Sequence, residues 1–154
     1  MTASADSSAH SAAGSSTPGG VSGPSSPSGS SLRSPATAFV LDLIAIALFG
    51  LFARIAHQSE DIPLNFMGWL ATTWPFWLGV LLAWLLLWFG AVGNHSGHEL
   101  SAGVPVWVST VITGLVIWGI INAKLPHWSF VLVAAVMSAL LLFGWRSLSS
   151  LVRR

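Results

Sequence analysis

The sequence has no cysteine, and only 7% of its 154 residues are charged. Without cysteine there are no disulfides, no thiolate nucleophiles and no cysteine-type metal sites, and the redox compartment stays undetermined. The shortage of charge excludes more. Soluble domains carry about 25% charged residues, and a chain with so few could not cover its surface in water. The net charge is only +1, so there is no basic field to hold nucleic acid, and no such partner is expected.

What is there is apolar: 53% of the residues are hydrophobic and the mean hydropathy is +0.74. Lipid is then the expected cover, and the bilayer the first expected partner. Four hydrophobic segments stand out, at about 36–56, 66–92, 104–123 and 128–148. Each reaches the roughly 20 residues needed to cross a hydrocarbon core of about 30 Å. Backbone groups in lipid must be satisfied internally, so these segments are expected as helices. The connections between them are short, which predicts an all-α, up-down-up-down four-helix membrane bundle. Pro105 falls near the expected start of helix three, where a missing N–H costs little.

The first 35 residues differ in kind. Thirteen are serine, most others are Ala, Gly, Pro or Thr, and the only charges are Asp6 and Arg33. Such a segment cannot bury enough apolar surface to offset the entropy of ordering, so it is expected to be a disordered tail. It has no basic start and no apolar core, so it does not read as a signal peptide. The first hydrophobic helix is expected to serve as the targeting signal. Residues 149–154 form a short basic tail.

Lysine and arginine set the expected orientation. With four spans, Arg33, Arg146, Arg153 and Arg154 fall on one side, against Arg54 and Lys124 on the other. The excess favours both termini in the cytoplasm of a plasma membrane protein. Trp69, Trp107, Trp128 and Trp145 lie near segment ends, where indole suits the headgroup level. Trp77, Trp84 and Trp88 repeat at helical spacing along segment two. They read as lipid-facing or packing bulk, with an aromatic ligand wall as the alternative.

Few residues could carry chemistry. Asp42 is the acid inside a predicted span, and a carboxylate there is costly and usually faces the bundle interior. Arg54 lies twelve residues further on, roughly 18 Å along a helix, so the two cannot pair within it. Arg54 and His57 share a face at i,i+3, and Glu60 and Asp61 follow in the loop. Pro75 interrupts helix two and frees the carbonyl of Ala71. A hydroxyl from Thr72 or Thr73 could help re-satisfy the backbone there. Thr110 with Gly114, and Ala134 with Ser138, make small-xxx-small pairs that let helices approach closely. His95, His98 and Glu99 are plausible metal ligand types, but their order and Gly97 between them fix no geometry, and a solvated loop is the expectation. The candidate functional positions are therefore Asp42, Arg54, His57, Pro75 and Thr110, with no catalytic, metal or cofactor site expected.

The pattern resembles the bacterial and archaeal domain-of-unknown-function family 3054, small membrane proteins of about four helices. The resemblance covers about 36–148. It rests on Asp42 with the apolar run to Phe49, on Arg54 and His57, and on Thr73-Trp74-Pro75-Phe76. Trp107, Thr110 and Gly114 follow, then Phe130-Val131-Leu132-Val133 and Gly144-Trp145-Arg146. The chain departs from it at Trp118, where the family carries a basic residue in the second half of helix three. The family has no established activity, so the resemblance implies a fold and no chemistry.

Three functions fit these readings. The first is a non-catalytic membrane component acting through helix association, as a homo-oligomer or with other membrane proteins. The alternative is a small transporter or proton-linked channel using Asp42 and the Pro75 break. A membrane enzyme is not expected, because no acid–base–nucleophile set gathers at one level of the bundle.

Overall fold

A computed structural model describes residues 34–57, 64–92 and 97–152. The expected tail 1–35 lies almost wholly outside them, as do Glu60, Asp61, His95 and the last two arginines. Four α-helices account for nearly all of the described chain: α1 Pro35–Ala56, α2 Phe66–Trp88, α3 Leu100–Asn122 and α4 Trp128–Leu151. Each is long and apolar enough to cross a membrane.

Local chemistry sets the boundaries. Ser34 caps α1 by accepting from the Thr37 N–H, with Pro35 in the first helical position. Asn65 caps α2 through the Gly68 N–H, and the His127 ring caps α4 through the Ser129 N–H. Helix α2 stops at Trp88, not at Val92 as the unbroken apolar run suggested. There Gly90 turns left-handed at φ 69°, the Ala91 N–H bonds Leu86 and the Gly90 N–H bonds Leu87. That closing motif satisfies the last carbonyls. Helix α3 ends the same way, with the Lys124 N–H on Gly119, but Ala123 fills the left-handed position at φ 49°.

Helix α3 also begins earlier than the sequence suggested, at Leu100. Leu100, Ser101, Ala102 and Gly103 prolong the helix ahead of the expected start at 104, and Pro105 becomes its sixth residue. The proline ring therefore frees the Ser101 carbonyl inside the second turn instead of sitting in the first. Helix α4 runs on to Leu151.

The helices pack as a ring, α1 against α2 and α4, and α3 against α2 and α4. Contacts between neighbours run in opposite chain order. Along α1 and α2, Trp69 reaches Ala47 and Trp84 reaches Asp42. Along α1 and α4, Asp42 meets Arg146 while Phe52 lies near Val133. Two glycines allow close approach of α2 to α3. A Cβ on Gly79 would strike the Thr110 backbone, and one on Gly114 would enter the Phe76 ring. The core is a thin column including Ile46, Phe49, Phe76, Val80, Trp84, Val106 and Leu142.

Most of the apolar surface points outward. Only 17% of the most apolar stretch of α3 and of α4 is buried, and 44% of that of α2. Soluble monomers do not expose contiguous apolar surface on this scale. Lipid is the environment in which it is stable.

Candidate functional site

The polar centre of the bundle is built on Asp42. It stands seven residues after Pro35 in α1, roughly 10 Å from the helix start. Arg146 stands five residues before Leu151 in α4, roughly 8 Å from that helix end. Because the two helices run oppositely, acid and base reach the same level. Arg146 Nη1 donates to Asp42 Oδ1 at 2.7 Å and Nη2 donates to Oδ2 at 2.8 Å. Both side chains are fully buried.

Two indoles complete the carboxylate. Trp145 Nε1 donates to Oδ1 at 2.9 Å and Trp84 Nε1 donates to Oδ2 at 3.0 Å. Each oxygen thus accepts twice, which fills the roughly four lone-pair positions of an ionised carboxylate. Arg146 is similarly engaged. Its Nη1 also donates to the Leu142 carbonyl, and Nε donates to the carbonyl of Gly97. The guanidinium lies 4.5 Å from the centre of the Trp145 ring. A buried ion pair is tolerable only when its remaining donors and acceptors are satisfied in this way.

The connection before α3 closes over this centre. Gly97 sits at φ 85°, and a Cβ there would run into the Trp84 indole and Ala38. Glycine is therefore required both by backbone conformation and by space. The next residue, His98, donates from Nε2 to the Ser34 carbonyl at 3.2 Å and meets Trp145 edge-on. Glu99 becomes the residue preceding α3 and accepts from Ser101. His98 and Glu99 are thus each engaged within the fold, and His95 lies outside the described residues.

Arg54, His57 and Pro75 meet elsewhere. They line one cavity of about 440 Å³ near the opposite end of the bundle, together with Thr72, Trp118 and Phe130. The guanidinium of Arg54 lies across the first turn of α2, close enough that a Cβ on Gly68 would overlap it. Pro75 removes the N–H that would hold the Ala71 carbonyl, and Ala71 also lines this cavity. The threonine hydroxyls do not repair that gap. Thr72 donates to the Gly68 carbonyl and Thr73 to that of Trp69.

Thr110 joins neither group. It is buried, donates to the Val106 carbonyl and packs on Gly79. Ser138 likewise donates to Ala134 within its own helix. The Thr110–Gly114 and Ala134–Ser138 pairs are consumed inside the bundle.

The acid of this pair is conspicuous in the sequence and its base is not. Arg146 is one of the arginines expected to set orientation, yet it is fully buried inside the fold. The orientation excess therefore shrinks to Arg33, Arg153 and Arg154 against Arg54 and Lys124. The available signal was depth: Arg146 lies inside a hydrophobic segment, as Asp42 does. The tryptophans were underread as well. Trp69, Trp77 and Trp107, besides Trp84 and Trp145, donate their indole N–H across to a neighbouring helix, to Ala47, Leu43 and Ala135 carbonyls. Of the Trp77, Trp84 and Trp88 series, only Trp88 is an exposed ring.

Four apolar helices around the buried Asp42–Arg146 pair define a small multi-pass membrane helical bundle. The chain belongs to the DUF3054 family of proteins of unknown function, whose family model matches residues 39–149. That span includes Asp42, Trp84, Gly97, Trp145 and Arg146. No curated protein and no solved structure matches the chain.

Proposed function

We propose that the protein is a non-catalytic component of the plasma membrane, with both ends cytoplasmic, that acts by association between transmembrane helices. The observation that carries this reading is the seam between α1 and α4. An apolar hollow of about 340 Å³ opens at one end of it, lined by Phe49, Phe52, Val133 and Met137. A second, of about 310 Å³, opens at the other end between Leu41, Leu48, Leu140 and Leu148. From Val133 to Leu148 the seam is roughly 22 Å long at 1.5 Å per residue. That is most of a hydrocarbon core, so it suits the length of a helix. The proposed occupant is a second copy of the chain, because most oligomers join like subunits about a two-fold axis.

The interior supports a non-catalytic role. The hydroxyls of Thr72, Thr73, Thr110 and Ser138 are each given to a carbonyl four residues earlier. None is poised against a base. A proton-linked carrier built on Asp42 is the weaker reading, since four donors already hold that carboxylate.

The absence of native cysteine makes the test clean. Leu140→Cys should give an oxidised dimer in membranes. The native mass in mild detergent should be twice the 16.2 kDa of the chain. Gly144 lies on the seam, and a Cβ there meets nothing within 4 Å. Gly144→Leu should therefore spare the fold and lower the dimer yield. A monomeric mass together with no cross-link would sink the reading.

A further inference from the structure

The cavity at the Arg54 end adjoins the α1–α4 seam, sharing Ala53 and His57 with the hollow there, but its remaining walls come from α2, α3 and Phe130 and ask for a different occupant. Its walls are mainly apolar, with Trp118 and Phe130 tilted against each other at 5.3 Å between ring centres. Its polar lining residues are Arg54 and His57 at the end of α1, Thr72 from α2 and Asn122 from α3. All four helices contribute near one end of the bundle. Arg54 is two residues from the end of α1, Gly68 two residues into α2, Trp118 four from the end of α3 and Phe130 two into α4. If the helices span, that is headgroup depth. Ala71, Thr72 and Pro75 lie five, six and nine residues into α2, the last of them roughly 14 Å from the helix start.

Among the described residues, the electrostatics at this mouth favour an anion. The positive end of a helix dipole lies at its N-terminus, and the first turn of α2 has no acidic residue. The fold nevertheless lays the Arg54 guanidinium across that turn, and glycine at position 68 makes the room. Two positive features are thus held together beside an apolar hollow. Arg54 takes part in an interaction within the chain, and a guanidinium carries five donors that can serve more than one acceptor.

We propose that this cavity binds an anionic amphiphile: a phosphate head at Arg54, with the first part of its apolar chain against Trp118 and Phe130. A phospholipid of the surrounding bilayer has that chemistry. A cavity of about 440 Å³ takes the head and a few methylenes, within the usual range for small-molecule sites. The apolar walls distinguish this occupant from a free anion, which would leave them wet.

Native mass spectrometry of the full chain tests the proposal. The protein is released from vesicles of phosphatidylcholine mixed with phosphatidylglycerol. It should retain phosphatidylglycerol about tenfold over phosphatidylcholine, the preference expected of one charge-assisted contact. Excess inorganic phosphate should not displace it. Arg54→Gln should abolish the preference, and Arg54→Lys should keep part of it. Because Arg54→Gln could disturb the fold, Ala71→Leu serves as a second variant. Ala71 is exposed and lines the cavity, so the added bulk should lower retention while the thermal midpoint holds. Equal retention of the two lipids, retention unchanged in both Arg54→Gln and Ala71→Leu, or displacement by phosphate alone would overturn it.

Discussion

Asp42 and Arg146 are 104 positions apart in the chain, and each Asp42 carboxylate oxygen receives one guanidinium N–H. The pair ties the first helix to the last. Removing one member of a buried pair leaves an uncompensated charge and costs about 3–5 kcal/mol, whereas replacing both with apolar groups of similar size is often near neutral. Arg146→Met should therefore lower unfolding free energy in detergent by about 3–5 kcal/mol, and Asp42→Leu with Arg146→Met by clearly less. A double variant as unstable as the sum of the singles would show that the two residues act independently.

Trp84 and Trp145 supply the other two donors to the same carboxylate. Trp84→Phe and Trp145→Phe each keep an aromatic ring and remove one N–H, leaving the acceptor underserved at a cost of about 1–3 kcal/mol. Their effects should not add, since both act on one group. Measuring the two singles and the double by thermal melting decides it; strict additivity would contradict a shared carboxylate.

Glycine positions separate close contact from open surface. Gly79→Ala places a methyl against the Thr110 backbone, so α2 and α3 must move apart. A loss of about 2 kcal/mol or more is expected, in the range of overpacking. Gly144→Ala meets open space and should be neutral or stabilise by up to about 1 kcal/mol through helix propensity. Equal melting temperatures for the two variants would refute the difference in packing.

Ala123 occupies a left-handed position that costs an L-residue roughly 1–2 kcal/mol and costs glycine little. Ala123→Gly should raise stability by about 0.5–1 kcal/mol, after the added freedom of the unfolded chain is counted. A lower melting temperature would show that the Ala123 methyl packs against something the geometry does not reveal.

How much of this was legible beforehand differs by level. The four helices were, because their length and apolarity depend on lipid alone. Asp42 was, because one acid in an apolar run is conspicuous. Its partner was not, for two reasons. Arg146 stands close to the end of its segment and resembles an anchoring charge, and pairing across 104 positions is a fact of packing. Helix ends were misplaced where conformation outweighed hydrophobicity, at Gly90 and at Leu100. The convergence of Arg54, His57 and Pro75 on one cavity follows from α1 and α2 being antiparallel, which the short loop between them already implied. Gly68, which lets the arginine lie flat, carried no separate signal.

The bridge between α1 and α4 also sets a clock for biogenesis. Ribosomes add about 5–20 residues per second, so Arg146 leaves the ribosome roughly 5–20 s after Asp42 at those rates. During that interval α1 holds its acid without Arg146 and Trp145, while Trp84, 42 positions after Asp42, is made sooner. A bare carboxylate in hydrocarbon is costly, so until the last helix is made α1 is more stable where water reaches Asp42.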